Sequence, residues 1–154
     1  NTNIGQGLVS VTPIQMAVSV SSIFNGGKIM KPYIVDNIQD QYGNVLKKFQ
    51  PEEVRKVEIE DKNFQIIRDS MEKAVRDSDG TLRKLSSIKY KVWGKTGTAT
   101  APVEIQGKQY DAPHAWVTGV FEYKGKKYTF VINIAHGGWG EGALDVIKGF
   151  LEKI

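Results

Sequence analysis

The chain has 154 residues, 40% of them hydrophobic and 25% charged, a formal net charge of +4, two histidines and no cysteine. That balance predicts one folded unit over residues 1–154, of neither disordered nor collagen-like composition, and it excludes disulfides and thiol chemistry. The basic residues alternate with acids, as in "PEEVRKVEIEDKN", so no nucleic-acid surface is expected, and two isolated histidines make a poor metal set.

The start, "NTNIGQG", has no initiator Met and neither the basic nor the apolar region of a signal peptide, so the chain reads as a piece of something longer. No apolar run approaches the roughly 20 residues that span a bilayer. "VTPIQMAVSVSSIFNGGK" predicts a helix with Thr12 as N-cap, Pro13 in the first turn and Gly26 and Gly27 as a left-handed stop. Ile14, Val18 and Ile23 fall near one stripe of it. The alternation in "KPYIVDNIQDQYGNVLKKF", through Tyr33, Val35 and Val45, predicts a surface hairpin turning at "YGN".

In "EDKNFQIIRDSMEKAVRDSDGT", Phe64, Ile67, Met71 and Val75 stand at helical spacing before a stop at Gly80. A polar connector leads to three strand-like runs, "YKVWGKTGTAT", "HAWVTGVFEY" and "KKYTFVINIAHG", the last two joined by a short turn at "KGK". "GALDVIKGFLEKI" predicts a closing helix with Leu144, Ile147, Phe150 or Leu151, and Ile154 on one side. The order is α+β, an antiparallel sheet with flanking helices. A meander with a terminal helix covers one sheet face, so the other face is expected to need a partner, within this chain or outside it.

The chemistry-bearing stretch is "WGKTGTAT" at residues 93–100. A phosphate-binding loop ending in Gly-Lys-Thr needs a glycine where this chain has Lys89, and a helix where it runs on as strand, so no nucleotide or other cofactor is expected. On a strand, Lys95 and Gly97 face one way and Thr96 and Thr98 the other, and local twist near glycine can bring lysine and hydroxyls toward one cleft. An ammonium, hydroxyls and a glycine that admits a ligand backbone make a carboxylate receptor. Lys-Thr-Gly is also the third member of the S-x-x-K, S-x-N, K-T-G set of serine β-lactamases and penicillin-binding proteins.

In order and spacing, "GQGLVSVTPIQMAVSVSSIFNGGKIMKPYIV", "VWGKTGTAT", "HAWVTGVF" and "GGWGEGALDVI" resemble the C-terminal part of the transpeptidase domain of class B penicillin-binding proteins, closer to the cell-elongation branch than to class A. Val117 and Glu122 depart from the family pattern, which usually has Phe and often Pro there. The resemblance implies a partial penicillin-binding, serine β-lactamase-like fold whose upstream catalytic helical part is absent. It implies a D,D-transpeptidase that cross-links stem peptides ending in D-Ala-D-Ala and is acylated by β-lactams.

By the same resemblance, the nucleophilic serine and its lysine lie upstream, so this chain holds no catalytic residue of its own and is expected to be inactive alone. Lys95 and Thr98 support the active site; Lys95, Thr96, Gly97, Thr98 and His114 are the candidate substrate-binding residues. The Thr98 N–H would be one of two oxyanion donors. "SMEK" at 70–73 and "SSIK" at 86–89 fit S-x-x-K, but the first sits on an amphipathic helix too close before Lys95 and the second in a polar connector. The partners implied are stem peptide, β-lactams and the upstream half of the protein, with a second copy as another cover for the open surfaces. The location implied is extracytoplasmic, with the parent membrane-anchored. The alternatives are a noncatalytic β-lactam sensor or cell-wall peptide-binding module, and a protein-interaction domain.

Overall fold

The computed structural model describes Gly7 and residues 9–154; Gly5, Gln6 and Leu8 of the "GQGL" motif lie outside the described residues. Helix α1 spans Pro13–Phe24 and is capped as expected. Gln15 completes a reciprocal box: its N–H donates to Thr12 Oγ1 at 3.3 Å, and Thr12 N–H donates to Gln15 Oε1 at 2.8 Å. Gly26 (φ +79°) and Gly27 (φ +87°) turn the chain away, and a β-carbon at Gly27 would lie 2.6 Å from Val57 O.

The buried stripe of α1 differs from the expected one. Val20 is buried with Met16 and Phe24 beside it, against Met71, Trp93 and Val120, while Ile14 is exposed. This helix is apolar on more than one side, so its own periodicity does not choose the inner face; contact with Trp93 does.

Strand β1 (Lys28–Met30) pairs with β4 (Glu53–Lys56), and β2 (Asn37–Gln39) pairs with β3 (Val45–Lys48). The expected surface hairpin is therefore shorter at its start: pairing begins where Phe49 N–H donates to Asp36 O, and Tyr33 and Val35 lie before it. Asp40 holds the turn, its carboxylate accepting from the N–H groups of Tyr42 and Asn44 and from the Asn44 side chain.

Helix α2 covers Asp61–Arg76 and buries Phe64, Met71 and Val75; Ile67, expected inside, faces an open groove. Gly80 does not end it. The helix stops at Arg76, the Leu82 N–H returns to Ala74 O at 2.8 Å, and a β-carbon at Gly80 would sit 2.3 Å from that carbonyl. The connector is not merely polar either: Leu82, Leu85 and Ile88 are buried around a 3-10 turn at Arg83–Leu85. Their spacing of three matches the three residues per turn of that conformation.

The central sheet is the expected antiparallel meander, in the order β5 (Val92–Ala99), β8 (His114–Tyr123), β9 (Lys126–Ile134). Lys124 (φ +49°) and Gly125 (φ +73°) make the tight turn between the last two. A small hairpin, β6 (Pro102–Ile105) with β7 (Lys108–Asp111), interrupts the path from β5 to β8. Helix α3 (Glu141–Leu151) buries Ala143, Leu144, Ile147 and Leu151. Phe150 is exposed, which decides for Leu151.

Alternation along the strands sends Val92, Ala115, Val117 and Phe121 to the α3 side, in a core shared with Leu82 and Leu85. Trp93 and Val120 go to the opposite side, against α1. The second face is thus covered from within the chain at its Trp93 end. Toward Lys95 and Trp116 it stays open. Val117 is fully buried, and Glu122 donates its N–H to Lys91 O at 2.9 Å, a bond that proline could not make.

Candidate active-site cleft

Among the described residues strand β5 is an edge strand, so every second N–H and C=O along it lacks a described strand partner on its outer side. Its register with β8 sets Lys95 opposite Thr118, Gly97 opposite Trp116, Thr98 opposite Ala115 and Ala99 opposite His114. Along this edge runs a cleft of about 580 Å³. Lys95, Thr96, Gly97, Thr98 and His114, the five residues singled out in the sequence, all line it. Trp116 and Thr118 join them from β8, and Val9, Val11 and Met16 close the side next to α1.

Lys95 is exposed and donates from Nζ to the carbonyl of Thr96 at 2.9 Å. Among the described residues it takes part in no ion pair. A cation without a carboxylate partner keeps its charge available for an anionic ligand. Thr96 behaves differently: its Oγ1 donates to Thr81 Oγ1 at 3.3 Å, which commits that hydroxyl to the connector after α2.

The two glycines of the motif have separate physical reasons. A β-carbon at Gly94 would meet Leu82 Cδ1 at 2.5 Å and Thr118 O at 3.2 Å, so the protein's own packing requires glycine there. At Gly97 the nearest atom would be Trp116 Cβ at 3.4 Å, ordinary contact. The protein leaves Gly97 free, and the space that its missing side chain leaves open is cleft.

A mostly apolar groove of about 640 Å³ adjoins the cleft between α1 and α2, lined by Val20, Ile23, Ile66, Ile67 and Met71 and sharing Lys95 and Thr118 with it. Asp77 and Asp79 also line the groove. Ser70 also lines it, but its hydroxyl donates to Ile66 O at 2.8 Å, a bond back along its own helix. Ser86 ends the 3-10 turn, and Lys89 reaches the Ile154 carbonyl instead of a serine. Neither S-x-x-K sequence forms a serine–lysine pair.

Sequence reasoning left Thr118 and the Met16 wall unnamed. Thr118 is two residues beyond Trp116 on the same strand face, a signal that period-two alternation would have given once His114 or Trp116 was assigned to the cleft. Met16 carried no such signal, because the position of α1 over the sheet is a tertiary fact.

A sheet edge bearing Lys-Thr-Gly over an open cleft, with helices on both faces, is the strand side of a penicillin-recognising serine enzyme fold. The chain matches the penicillin binding protein transpeptidase domain over residues 1–152 and belongs to that family. It is 40% identical over 98 residues to stage V sporulation protein D of Bacillus subtilis, covering 64% of this chain and 15% of that protein. It is 26% identical over 153 residues to the peptidoglycan D,D-transpeptidase MrdA of Haemophilus influenzae, covering 91% of this chain and 23% of that one. These relatives set it among the class B penicillin-binding proteins.

Solved structures agree on the fold. Penicillin-binding protein A of Mycobacterium tuberculosis, solved as a ceftriaxone acyl-enzyme complex, superposes with a TM-score of 0.77 at 23% identity, covering 97% of this chain and 33% of that one. The D,D-transpeptidase domain of a peptidoglycan glycosyltransferase from Eggerthella lenta gives 0.69 at 27% identity, covering 92% and 32%. The chain spans between 15% and 25% of the length of the curated relatives it matches.

Proposed function

We propose that this chain is the strand side of the active site of a longer peptidoglycan D,D-transpeptidase, of the elongation type. The observation that carries the reading is the edge of β5: among the described residues, an ammonium without a carboxylate partner at Lys95, beside a glycine at 97 whose missing side chain opens onto the cleft. An extended peptide lying along this edge meets backbone N–H and C=O groups, and its terminal carboxylate meets Lys95 and the Thr98 hydroxyl.

The reaction begins with a serine supplied by the upstream part of the protein. Its oxygen attacks the carbonyl carbon of the penultimate D-alanine of a stem peptide, and the proton of that hydroxyl passes to a neighbouring base. The negative charge on the carbonyl oxygen is held by the Thr98 N–H together with a second N–H from the serine's own segment. Collapse breaks the peptide bond as the base gives its proton to the departing nitrogen, so that the terminal D-alanine leaves as the amine and an acyl-serine remains. An amine from a neighbouring stem attacks this ester and loses a proton to the base, which passes it to the serine oxygen as the ester breaks and the cross-link is formed. β-Lactams acylate the same serine through their strained amide.

The apolar groove between α1 and α2 supports the same reading, because it opens beside Lys95 where a serine-bearing segment has to stand. The chain alone supplies half an oxyanion hole and no nucleophile, and is inactive by itself. The site works outside the cytoplasmic membrane, on a membrane-anchored parent; among the described residues no helix is long and apolar enough to cross a membrane.

Acylation by a fluorescent penicillin, followed by intact mass, on this chain and on the full-length protein that carries it, tests the proposal. Mass gain by the longer protein alone is expected. Acylation of the short chain would move the nucleophile into it, and no reaction by either would leave a peptide-binding module without chemistry.

A further inference from the structure

At the far end of the cleft two histidines meet. His114 opens β8 and His136 follows β9; their rings lie edge to face with centroids 4.7 Å apart. The backbone N–H of His136 donates to His114 Nδ1 at 2.9 Å. The His136 ring nitrogen Nδ1 lies 2.8 Å from Ala112 O, and the Gly138 N–H donates to Pro113 O at 3.0 Å. Three hydrogen bonds therefore fasten the loop after β9 to the segment that enters β8.

The loop doubles back through two left-handed residues, His136 (φ +52°) and Gly138 (φ +75°). It then packs Gly140, which is buried, against the sheet behind two cleft residues. A β-carbon at Gly140 would lie 3.4 Å from Thr96 Cβ and 3.5 Å from Trp116 O, and both of those residues line the cleft.

We propose that His114 is a positioning residue: through Nδ1 it holds the 136–140 loop, and through that loop it sets Thr96 and Trp116 for the ligand. A ring nitrogen that accepts an N–H carries no proton, so the neutral imidazole of His114 bears its proton on Nε2. The Ala112 carbonyl likewise requires the proton of the His136 ring on Nδ1. His114 works through its acceptor nitrogen, and Nε2 is dispensable to this role. The inference rests on the transpeptidase reading for its activity arm and on the hydrogen bonds alone for its structural arm.

The two ring nitrogens can be separated by substitution, because the Asn side-chain oxygen falls near the place of Nδ1 and that of Gln near Nε2. In the full-length protein, His114→Ala, His114→Asn and His114→Gln are compared with wild type for penicillin acylation, resolved into binding and rate constants. Hydrogen exchange of the peptide spanning 135–140 is read alongside. His114→Ala is expected to lower acylation efficiency roughly ten- to hundredfold with faster loop exchange, as small misplacements in a reacting site do. His114→Asn recovers both, and His114→Gln recovers neither.

Recovery by Gln and not Asn would overturn the proposal in favour of direct ligand contact through Nε2, and wild-type acylation by all three variants would overturn it outright. The Asn and Gln contrast stands even where the Ala variant fails to fold. An unreactive wild-type protein would fell the transpeptidase reading and the activity arm, while loop exchange in the three variants would still decide whether Nδ1 of His114 holds the loop.

Discussion

Leu82 fills the place that a side chain at Gly94 would take: a β-carbon there would lie 2.5 Å from Leu82 Cδ1. Three residues along the same strand, the β-carbon position of Gly97 meets only Trp116 Cβ at 3.4 Å. Gly94→Ala is expected to destabilise the fold by about 1–3 kcal/mol through overpacking. Gly97→Ala is expected to leave stability within about 1 kcal/mol of wild type but to lower penicillin acylation at least tenfold. Thermal unfolding and acylation of the full-length protein check both. If Gly97→Ala acylated normally, the ligand would not approach β5 at that residue.

Lys95 contributes charge to the cleft and little to the fold. Among the described residues its Nζ reaches only the neighbouring carbonyl of Thr96, and the side chain is exposed. Lys95→Ala should change the unfolding midpoint negligibly and reduce acylation roughly 100-fold, the scale of losing one preorganised electrostatic group. A fall in stability with unchanged acylation would reverse the assignment.

Trp93 carries the packing between α1 and the sheet. It is buried, meets Phe24 edge to face at a centroid distance of 5.4 Å, and shares its cluster with Val20, Met71 and Val120. Trp93→Ala is expected to cost about 3–5 kcal/mol, measured by denaturant unfolding. A loss below about 1 kcal/mol would mean that α1 does not depend on this contact.

The Asp40 carboxylate is held below the usual aspartate range, chiefly by the side chain of Asn44 and then by its backbone N–H, with smaller contributions from Tyr42 and Gly43. A depressed carboxylate stabilises the turn fully above the ordinary aspartate pKa, and that contribution is lost as pH falls through the lower folded value. Amide exchange at Tyr42 and Asn44, corrected for its intrinsic pH dependence, should therefore lose protection only as pH falls below the ordinary aspartate range. In Asp40→Asn that acid step should vanish, and its persistence would place the titrating group elsewhere.

Much of this molecule was legible in the sequence because the signals were local. Thr12 with Pro13, the glycine pair at 26–27, the "KGK" turn and the strand alternation each concern a few bonded neighbours, and each is found in place. Leu82, Leu85 and Ile88 carry a three-residue period inside a mostly polar stretch, and that 3-10 spacing marks them as buried.

By itself the sequence determined the α+β class and the strand that bears Lys95, Gly97 and Thr98, since these depend on periodicity, and its motifs carried the resemblance to the family. Only the tertiary structure decided which stripe of α1 is inside, why Gly94 and Gly97 differ, that the Thr96 hydroxyl turns to Thr81, and that His114 holds the backbone of His136. Each of those facts joins residues far apart in the chain, and contact between such residues follows from how the helices and loops pack on the sheet, which no local pattern encodes.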